Sequence, residues 1–399
     1  MSEIGIRKHE VVFYGLMNGL FYAWNAAFYG FMSTYFLKCG MKASELSSLL
    51  AVYMAVCFAG ALFWGRMCDR FQTNRKIFLF CFVLVMITAG CSFVFASGNI
   101  RIAAVLYLLM GIMLASLGSN QDAWILRVFH QDGEKYGRAR AMGSFGYALG
   151  MLLTGFLIKR YGYQMIQILQ IIIGITCLIF AFLLPEGKYE KKQRENAPKS
   201  GIRSLLQNPM FLFLLAFLFL EGLADSPITN MKTVFMQDAG GDVSMLGMDS
   251  FLGVSLQAVL IFFSGRILKL KAKTRLIIVA VTSMLNMILI YTARNPYMVM
   301  AGTLMWNVSF SFRLPTEREL VERYTDQSVR NIAHSMADAV VNNMAAIISL
   351  TYSGRLIAHF GCRSIALTGI VIMAVALILV TVPKHHVQEK KTVHNCALN

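Results

Sequence analysis

Residues 65–96 read GRMCDRFQTNRKIFLFCFVLVMITAGCSFVFA, and the fold turns on this stretch. Arg66, Asp69, Arg70, Arg75 and Lys76 crowd a short turn, and the residues that follow, Ile77–Ala96, carry no charge at all. A run of about twenty apolar residues is long enough to cross the ~30 Å hydrocarbon core of a bilayer as one helix. The same alternation of charged turn and apolar run fills the chain. Such runs fall at Val11–Phe36, Ser47–Trp64, Lys76–Ala96, Ala103–Val128, Arg140–Ile158 and Met165–Leu184. After a polar stretch they resume at Met210–Met236, Met245–Phe263, Thr274–Tyr291, Tyr297–Leu314, Asn331–Tyr352 and Ser364–Val382. The expectation is an all-α membrane protein of twelve transmembrane helices with both termini cytoplasmic.

Composition agrees. Hydrophobic residues make up 57% of the 399 and charged residues 15%, where a soluble chain carries about a quarter charged. The first run is too long for a signal peptide, follows Arg7 and Lys8, and lacks a small-residue cleavage site. The eight cysteines are scattered without CxxC or Cys/His spacing, so neither a metal nor a disulfide framework is expected, and no cofactor. The 25 methionines read as helix packing. A net charge of +16 could suggest nucleic acid, but position argues otherwise. With cytoplasmic termini, most Lys and Arg fall in the inner turns, around Arg66–Lys76, Lys135–Arg140, Lys188–Arg203, Arg266–Arg275, Arg318–Arg330 and Lys384–Lys391. That bias is the positive-inside rule, so the excess charge reports topology and no nucleic-acid partner is expected.

The stretch Glu186–Asn208 separates six runs from six more. It divides the chain into an N-terminal six-helix bundle (1–185), a cytoplasmic linker (186–208), a C-terminal six-helix bundle (209–384) and a cytoplasmic tail (385–399). Even span numbers give both bundles the same orientation, a parallel repeat with the solute path between the halves. Two short internal matches support the repeat. The turn after span two, Gly65-Arg66 with Arg75-Lys76 beyond, pairs with Gly265-Arg266 and Lys273 and Arg275 after span eight. Spans five and eleven end alike, in GFLIKRYG at 155–162 and GRLIAHFG at 354–361.

The Gly65–Lys76 turn resembles the GxxxDRxGRR loop of the major facilitator superfamily, with Gln72 where a second Gly is usual. The resemblance implies that Asp69, Arg70 and Gly65 belong to a cytoplasmic gate between helices. Lys269 replaces the Asp in the second copy, so any such latch is asymmetric. A simple solvated turn would carry the same charges.

Polar groups in a membrane helix face a partner helix or a watery cavity. The first run carries Tyr14, Asn18, Tyr22, Asn25, Tyr29 and Ser33 at spacings of three and four, which is one helix face, with Trp24 beside it. This suits a solute with hydroxyls and flat apolar faces, and interhelical hydrogen bonding would give the same stripe. Asp122 and Arg140 lie equally far from the turn near Gln131, so an antiparallel helix pair sets them at one depth. There they can neutralise each other or both face a solute. Ser144 and Tyr147 continue the Arg140 face, and Gly143, Gly146 and Gly150 form a small-residue strip beside it.

Asp122, the YGRAR turn at 136–140 and GSFGYALG at 143–150 resemble lactose permease and the oligosaccharide– and nucleoside–proton symporters. The resemblance implies that Asp122 and Arg140 hold solute hydroxyls, that Tyr147 stacks on a ring, and that Ser144 sits at a solute-protected position. In the second half, Glu221, Asp225, Asn230 and Lys232 lie on span seven, Trp306, Asn307, Ser311 and Arg313 on span ten, and His334, Asp338 and Asn342 on one face of span eleven. Asp225 and Asp338, then Glu221 and His334, are candidates for proton coupling, with Arg313 and Lys232 as charge partners. Trp306 and Asn307 join the solute-binding candidates. The acidic and histidine pattern of the permease's tenth span is absent, since Phe310 and Arg313 stand there.

The chain therefore reads as a secondary transporter, not an enzyme. Its solute is expected to be a sugar, oligosaccharide or nucleoside, crossing a bacterial cytoplasmic membrane by alternating access, with the protein acting as a monomer. Proton symport, uncoupled facilitation and a small organic acid as solute stay open.

Overall fold

A computed structural model describes residues 10–130, 132–187, 200–326 and 329–382. The expected terminal segments, the central linker residues 188–199, and the basic residues Arg7, Lys8, Lys188–Lys199 and Lys384–Lys391 lie outside these. The described residues form helices and short connections. The first half contains α1 (Glu10–Lys38), α2 (Ala43–Phe71), α3 (Arg75–Ala96), α4 (Ile100–Leu114), α5 (Leu117–Val128), α6 (Gly133–Tyr161) and α7 (Gln164–Leu183). A short helix α8 (Ser200–Gln207) leads into the second half. There α9 (Pro209–Asn230), α10 (Lys232–Asp238), α11 (Val243–Phe262), α12 (Ser264–Ile267), α13 (Ala272–Tyr291) and α14 (Pro296–Tyr324) follow. The last rod is α15 (Arg330–Ala339), a π-helical turn (Val340–Met344) and α16 (Ala345–Phe360), before α17 (Arg363–Thr381).

Among the described residues, nine helices are long and apolar enough to cross a membrane, counting Ile100–Val128 as one. Three expected spans fall outside that set although each is helical. In α1 the tyrosines and asparagines of the polar stripe lower apolarity, in α14 the charges from Arg313 onward do so, and the π turn divides the rod 330–360. Outward-facing apolar side chains such as Phe145, Phe182 and Phe262 are largely exposed, as lipid contact requires.

Local chemistry explains the helix ends. Asn99, Asp132, Asn208 and Asp242 each accept two backbone N–H groups at the start of α4, α6, α9 and α11, each cap contributing ~1 kcal/mol. The matching segments 155–162 and 354–361 end in Gly162 and Gly361, at φ of 89° and 79°, so both helices stop on the same left-handed glycine. Gln72 ends α2 in the same region, at φ 53°.

The Glu186 carboxylate accepts from the backbone N–H groups of Asn74 and Arg75 and from the Thr73 hydroxyl, pinning the start of the linker to the head of α3. We call this end of the molecule the linker face. The tightest contacts between halves lie at the opposite, far face. There α2 packs on α16 and α6 on α11, with Ser47 Oγ donating to the Leu350 carbonyl at 2.8 Å. A Cβ on Gly247 would lie 2.4 Å from the Met151 carbonyl oxygen, and one on Gly155 3.0 Å from that of Val243. Lys159 Nζ lies 2.7 Å from Asp242 Oδ2 across the same seam.

Candidate functional site

Beneath the far-face seal lies a cavity of about 340 Å³ lined by both halves, near the lower end of the range for small-molecule sites. From the first half come Tyr29, Ser33 and Tyr147; from the second, Asn230, Lys232, Gln257, Asn286, Trp306 and Asn307. Thr34 and Thr233 meet hydroxyl to hydroxyl at 3.3 Å between α1 and α10, bridging the halves. Helix α9 carries Pro227 and stops at Asn230, and α10 restarts at Lys232. That interruption turns the Lys232 ammonium into the cavity, as discontinuous helices do at transporter sites.

Among the described residues lining the cavity, Lys232 is the one with a charge. It is neutralised: its Nζ lies 2.6 Å from Asp249 Oδ2 and donates to Ser250 Oγ at 3.1 Å. Asp249 is 1% exposed. Asp249 and Asn286 stand outside the polar stripes read from sequence, although Asp249 is the one charged residue of the run 245–263 and Asn286 the one carboxamide of the run 274–291, which is a signal in itself.

The polar face of α1 serves three places. Tyr29 and Ser33 line the cavity, whereas the Tyr14 hydroxyl donates to the Pro185 carbonyl at 2.6 Å. Asn18 and Tyr22, between them, join Asp122 and Arg140. Arg140 Nε lies 3.6 Å from Asp122 Oδ1, and its guanidinium stands 4.5 Å over the Tyr22 ring. Both members of the ion pair are about one-third exposed. Asn18 and Tyr136 stand beside the Asp122 carboxyl. This cluster lies toward the linker face from the cavity, since Tyr22 is two helical turns, about 10 Å, before Tyr29. Gly143 leaves room for it, because a Cβ there would sit 1.9 Å from Asn18 Oδ1. Tyr147 reaches the cavity; Ser144 and Asn25 are half-buried outside its lining. Trp24 packs inside the first half, with its indole N–H on Gln170.

The second half buries a separate set of charges. Arg313 pairs with Glu221 at 3.1 Å and with Glu317 at 3.4 Å. Asp225, one turn beyond Glu221, is 3.0 Å from the Ser283 hydroxyl. Asp338 and His334 are elsewhere: both meet Arg318, and the Arg318–Asp338 pair is nearly half exposed. Lys232 thus serves Asp249, and Arg313 serves Glu221 and Glu317. In the Gly65–Lys76 turn, Asp69 is engaged, and the Arg70 guanidinium lies 6.0 Å over the Phe71 ring.

The sequence and the fold have counterparts among known proteins. Over 343 residues, covering 85% of each chain, the sequence is 23% identical to a maltose permease of Geobacillus stearothermophilus. It is also 23% identical to a protein of Escherichia coli K12 named "Probable 3-phenylpropionic acid transporter", over 84% of this chain and 88% of that one. The crystal structure of the nucleoside transporter NupG superposes with a TM-score of 0.74 at 15% identity, over 93% of this chain and 96% of that one. The model of the MFS_1 like family matches residues 15–336. The chain belongs to that family, and it is a membrane transporter of the major facilitator type, not an enzyme.

Proposed function

We propose that this transporter carries a small neutral polar solute, of the sugar or nucleoside class, in the cavity between its halves by alternating access. One observation carries the reading: the lining is rich in amides, hydroxyls and aromatic rings, and the one charge among its described residues is cancelled by Asp249. Carboxamides and hydroxyls match a solute's own donors and acceptors, while Trp306, Tyr29 and Tyr147 offer flat apolar faces. The names of the maltose permease and the nucleoside transporter agree with this class. The Asp122–Arg140 cluster, water-exposed on the linker side, is a second solute contact on the way out.

The architecture we propose is twelve crossings in two six-helix bundles, residues 1–185 and 209–384. They are joined by a cytoplasmic linker at 186–208 and followed by a cytoplasmic tail at 385–399. The membrane is a bacterial cytoplasmic one and the protein acts as a monomer. With the linker face inside, a sealed far face and an open linker face make this the inward-facing state. Asp69, Arg70 and Gly65 then stand at the open gate.

Coupling belongs to the second half. Glu221 and Glu317 pair with the single guanidinium of Arg313, and Asp225 lies one turn beyond Glu221, all of them buried. Each uncompensated buried charge costs several kcal/mol, and binding protons relieves that cost. Asp225 and Glu221 are therefore the proposed proton sites, whereas Asp338 and His334 form a solvated pair with Arg318.

The test is counterflow in proteoliposomes with labelled maltose, D-xylose and uridine, with and without a pH gradient. Saturable exchange of one of these, driven uphill by inward acid, is the expected result. Competition by small carboxylates alone would sink the neutral-solute reading. It would favour the second reading, an organic acid held by Lys232, to which the name of the E. coli relative points.

A further inference from the structure

Helix α13 presents one buried stripe, Arg275, Val279, Ser283, Asn286 and Ile290, at spacings of three and four. The stripe joins two places that the rest of the fold keeps apart. Asn286 and Ile290 line the cavity. Asn286 is 1% exposed, and among the described residues neither its amide nitrogen nor its amide oxygen has a partner. Gly302 on α14 opens the gap it occupies, since a Cβ there would lie 2.9 Å from Asn286 Oδ1. One turn away on the same face, Ser283 reaches Asp225 and also lies 2.8 Å from Ser309 Oγ of α14. Ser309 Oγ in turn lies 3.1 Å from the Val279 carbonyl.

Hydrogens can be counted along this line. Three contacts run in series, Asp225–Ser283, Ser283–Ser309 and Ser309–Val279, and the two serines supply two hydrogens. A third must come from the Asp225 carboxyl. When Asp225 is ionised, Ser283 turns its hydrogen to the carboxylate, and the one hydrogen of Ser309 must choose between Ser283 and the Val279 carbonyl, so one of the two contacts that Ser309 of α14 makes with α13 has no hydrogen.

We infer that solute and proton are coupled through this α13–α14 contact: a solute bridging Asn286 on α13 and Thr303, Trp306 and Asn307 on α14 holds both Ser309 contacts with α13 closed, and so holds a proton on Asp225. Linkage makes the effect reciprocal, with a protonated Asp225 tightening solute binding by the same factor. The ligand group that Asn286 takes is an adjacent donor and acceptor, such as a lactam edge or a vicinal diol. The charged groups facing Asp225 are Glu221 on its own helix and Arg313 from α14, with Glu317 behind Arg313. Arg275 of α13 is held at the linker-face end by Glu319. From α15 come Arg330 and the Asp338 and His334 engaged with Arg318, from α16 come Tyr352, which donates to the Leu223 carbonyl of α9, and Arg355 and His359 beyond it, and α17 carries no titratable residue beyond Arg363.

This inference rests on the neutral-solute reading, and its test separates the two. In proteoliposomes with labelled uridine, and maltose in parallel, half-saturation of counterflow should fall roughly tenfold on acidification. Ser309→Ala should lose that pH dependence while keeping counterflow, Ser309→Thr should restore it, and Asn286→Ala should raise half-saturation about tenfold. A Ser309→Ala protein with the wild-type pH dependence would overturn the inference. Should neither probe, nor D-xylose, be exchanged, the solute reading fails, and infrared spectroscopy of the solute-free protein still decides the coupling site. A protonated-carboxyl band that grows in on acidification and vanishes in Asp225→Asn supports it, and the absence of such a band at any pH overturns it.

Discussion

Lys232 and Asp249 meet at 2.6 Å in the wall of the inter-half cavity, the lysine partly facing the cavity and the aspartate sealed behind it. A buried pair is balanced only while both members are present, and removing one strands the other, at a cost of roughly 3–5 kcal/mol. Asp249→Asn should therefore lower the melting temperature and leave a free cation in the cavity. Transport of neutral solute should fall, and small carboxylates should begin to compete. Thermal unfolding and competition assays check both. Inhibition that stays blind to carboxylates would show that Lys232 does not face the solute.

The far-face seal depends on glycine. Met151 and Gly247 approach so closely that any side chain at 247 must part the helices α6 and α11. Gly247→Trp should hold the far face open. Counterflow should drop to background, while a thiol placed on the far side of the cavity should become reactive toward a membrane-impermeant reagent. A variant that transports normally would show that the seam is not a moving contact.

The Lys159–Asp242 pair closes the same seam by charge. Burial alone would raise the Asp242 carboxyl, but hydrogen bonds from Lys159, Ser244 and the Met245 amide outweigh it and hold it down at about 2. Because that value is depressed, the pair's contribution to the sealed state is present above the ordinary carboxylate range and is lost only as pH falls through about 2. External acid between about pH 5 and pH 7 should therefore leave the seal unchanged, by thiol accessibility. Asp242→Asn should loosen it at every pH in that window, and only modestly, because both groups are about half exposed.

The fold is legible because length and apolarity suffice for a membrane helix, whatever its neighbours. The Asp122–Arg140 proximity is legible too, because two residues equidistant from one turn must share a depth. Charge partners across other helices are not. Which of Glu221, Glu317, Asp225 or Asp338 meets Arg313 depends on helix rotation, which the chain's own spacing does not set. Asp249 eludes a reading by stripes because its partner is aimed by the break at Met231, a tertiary consequence of α9 ending there. For the same reason the single face of α1 is shared among linker, ion pair and cavity, since its neighbours change along its length.

Gln72 bears a backbone penalty where its superfamily pattern has glycine. A non-glycine residue in the left-handed region costs roughly 1–2 kcal/mol, offset by the extra chain entropy that glycine loses on folding. Gln72→Gly should raise thermal stability by a net of about 1 kcal/mol, read as an upward shift in melting temperature. No gain would mean that the Gln72 side chain makes a compensating contact.

Arg140 offers the sharpest separation of binding from support. Its guanidinium spans Asp122 and the face of Tyr22, a planar arrangement that a lysine ammonium does not reproduce. If the cluster holds solute, Arg140→Lys should keep the fold and raise half-saturation at least tenfold. Arg140→Ala should abolish counterflow, with little loss of stability because the pair is partly solvated. If instead the pair only fastens α5 to α6, both variants should lower the melting temperature, and Asp122→Asn with Arg140→Gln together should restore stability and transport alike. Measuring melting temperature and counterflow on the same set of proteins decides between solute contact and helix fastening, since only a solute contact leaves the neutral double variant stable yet inactive.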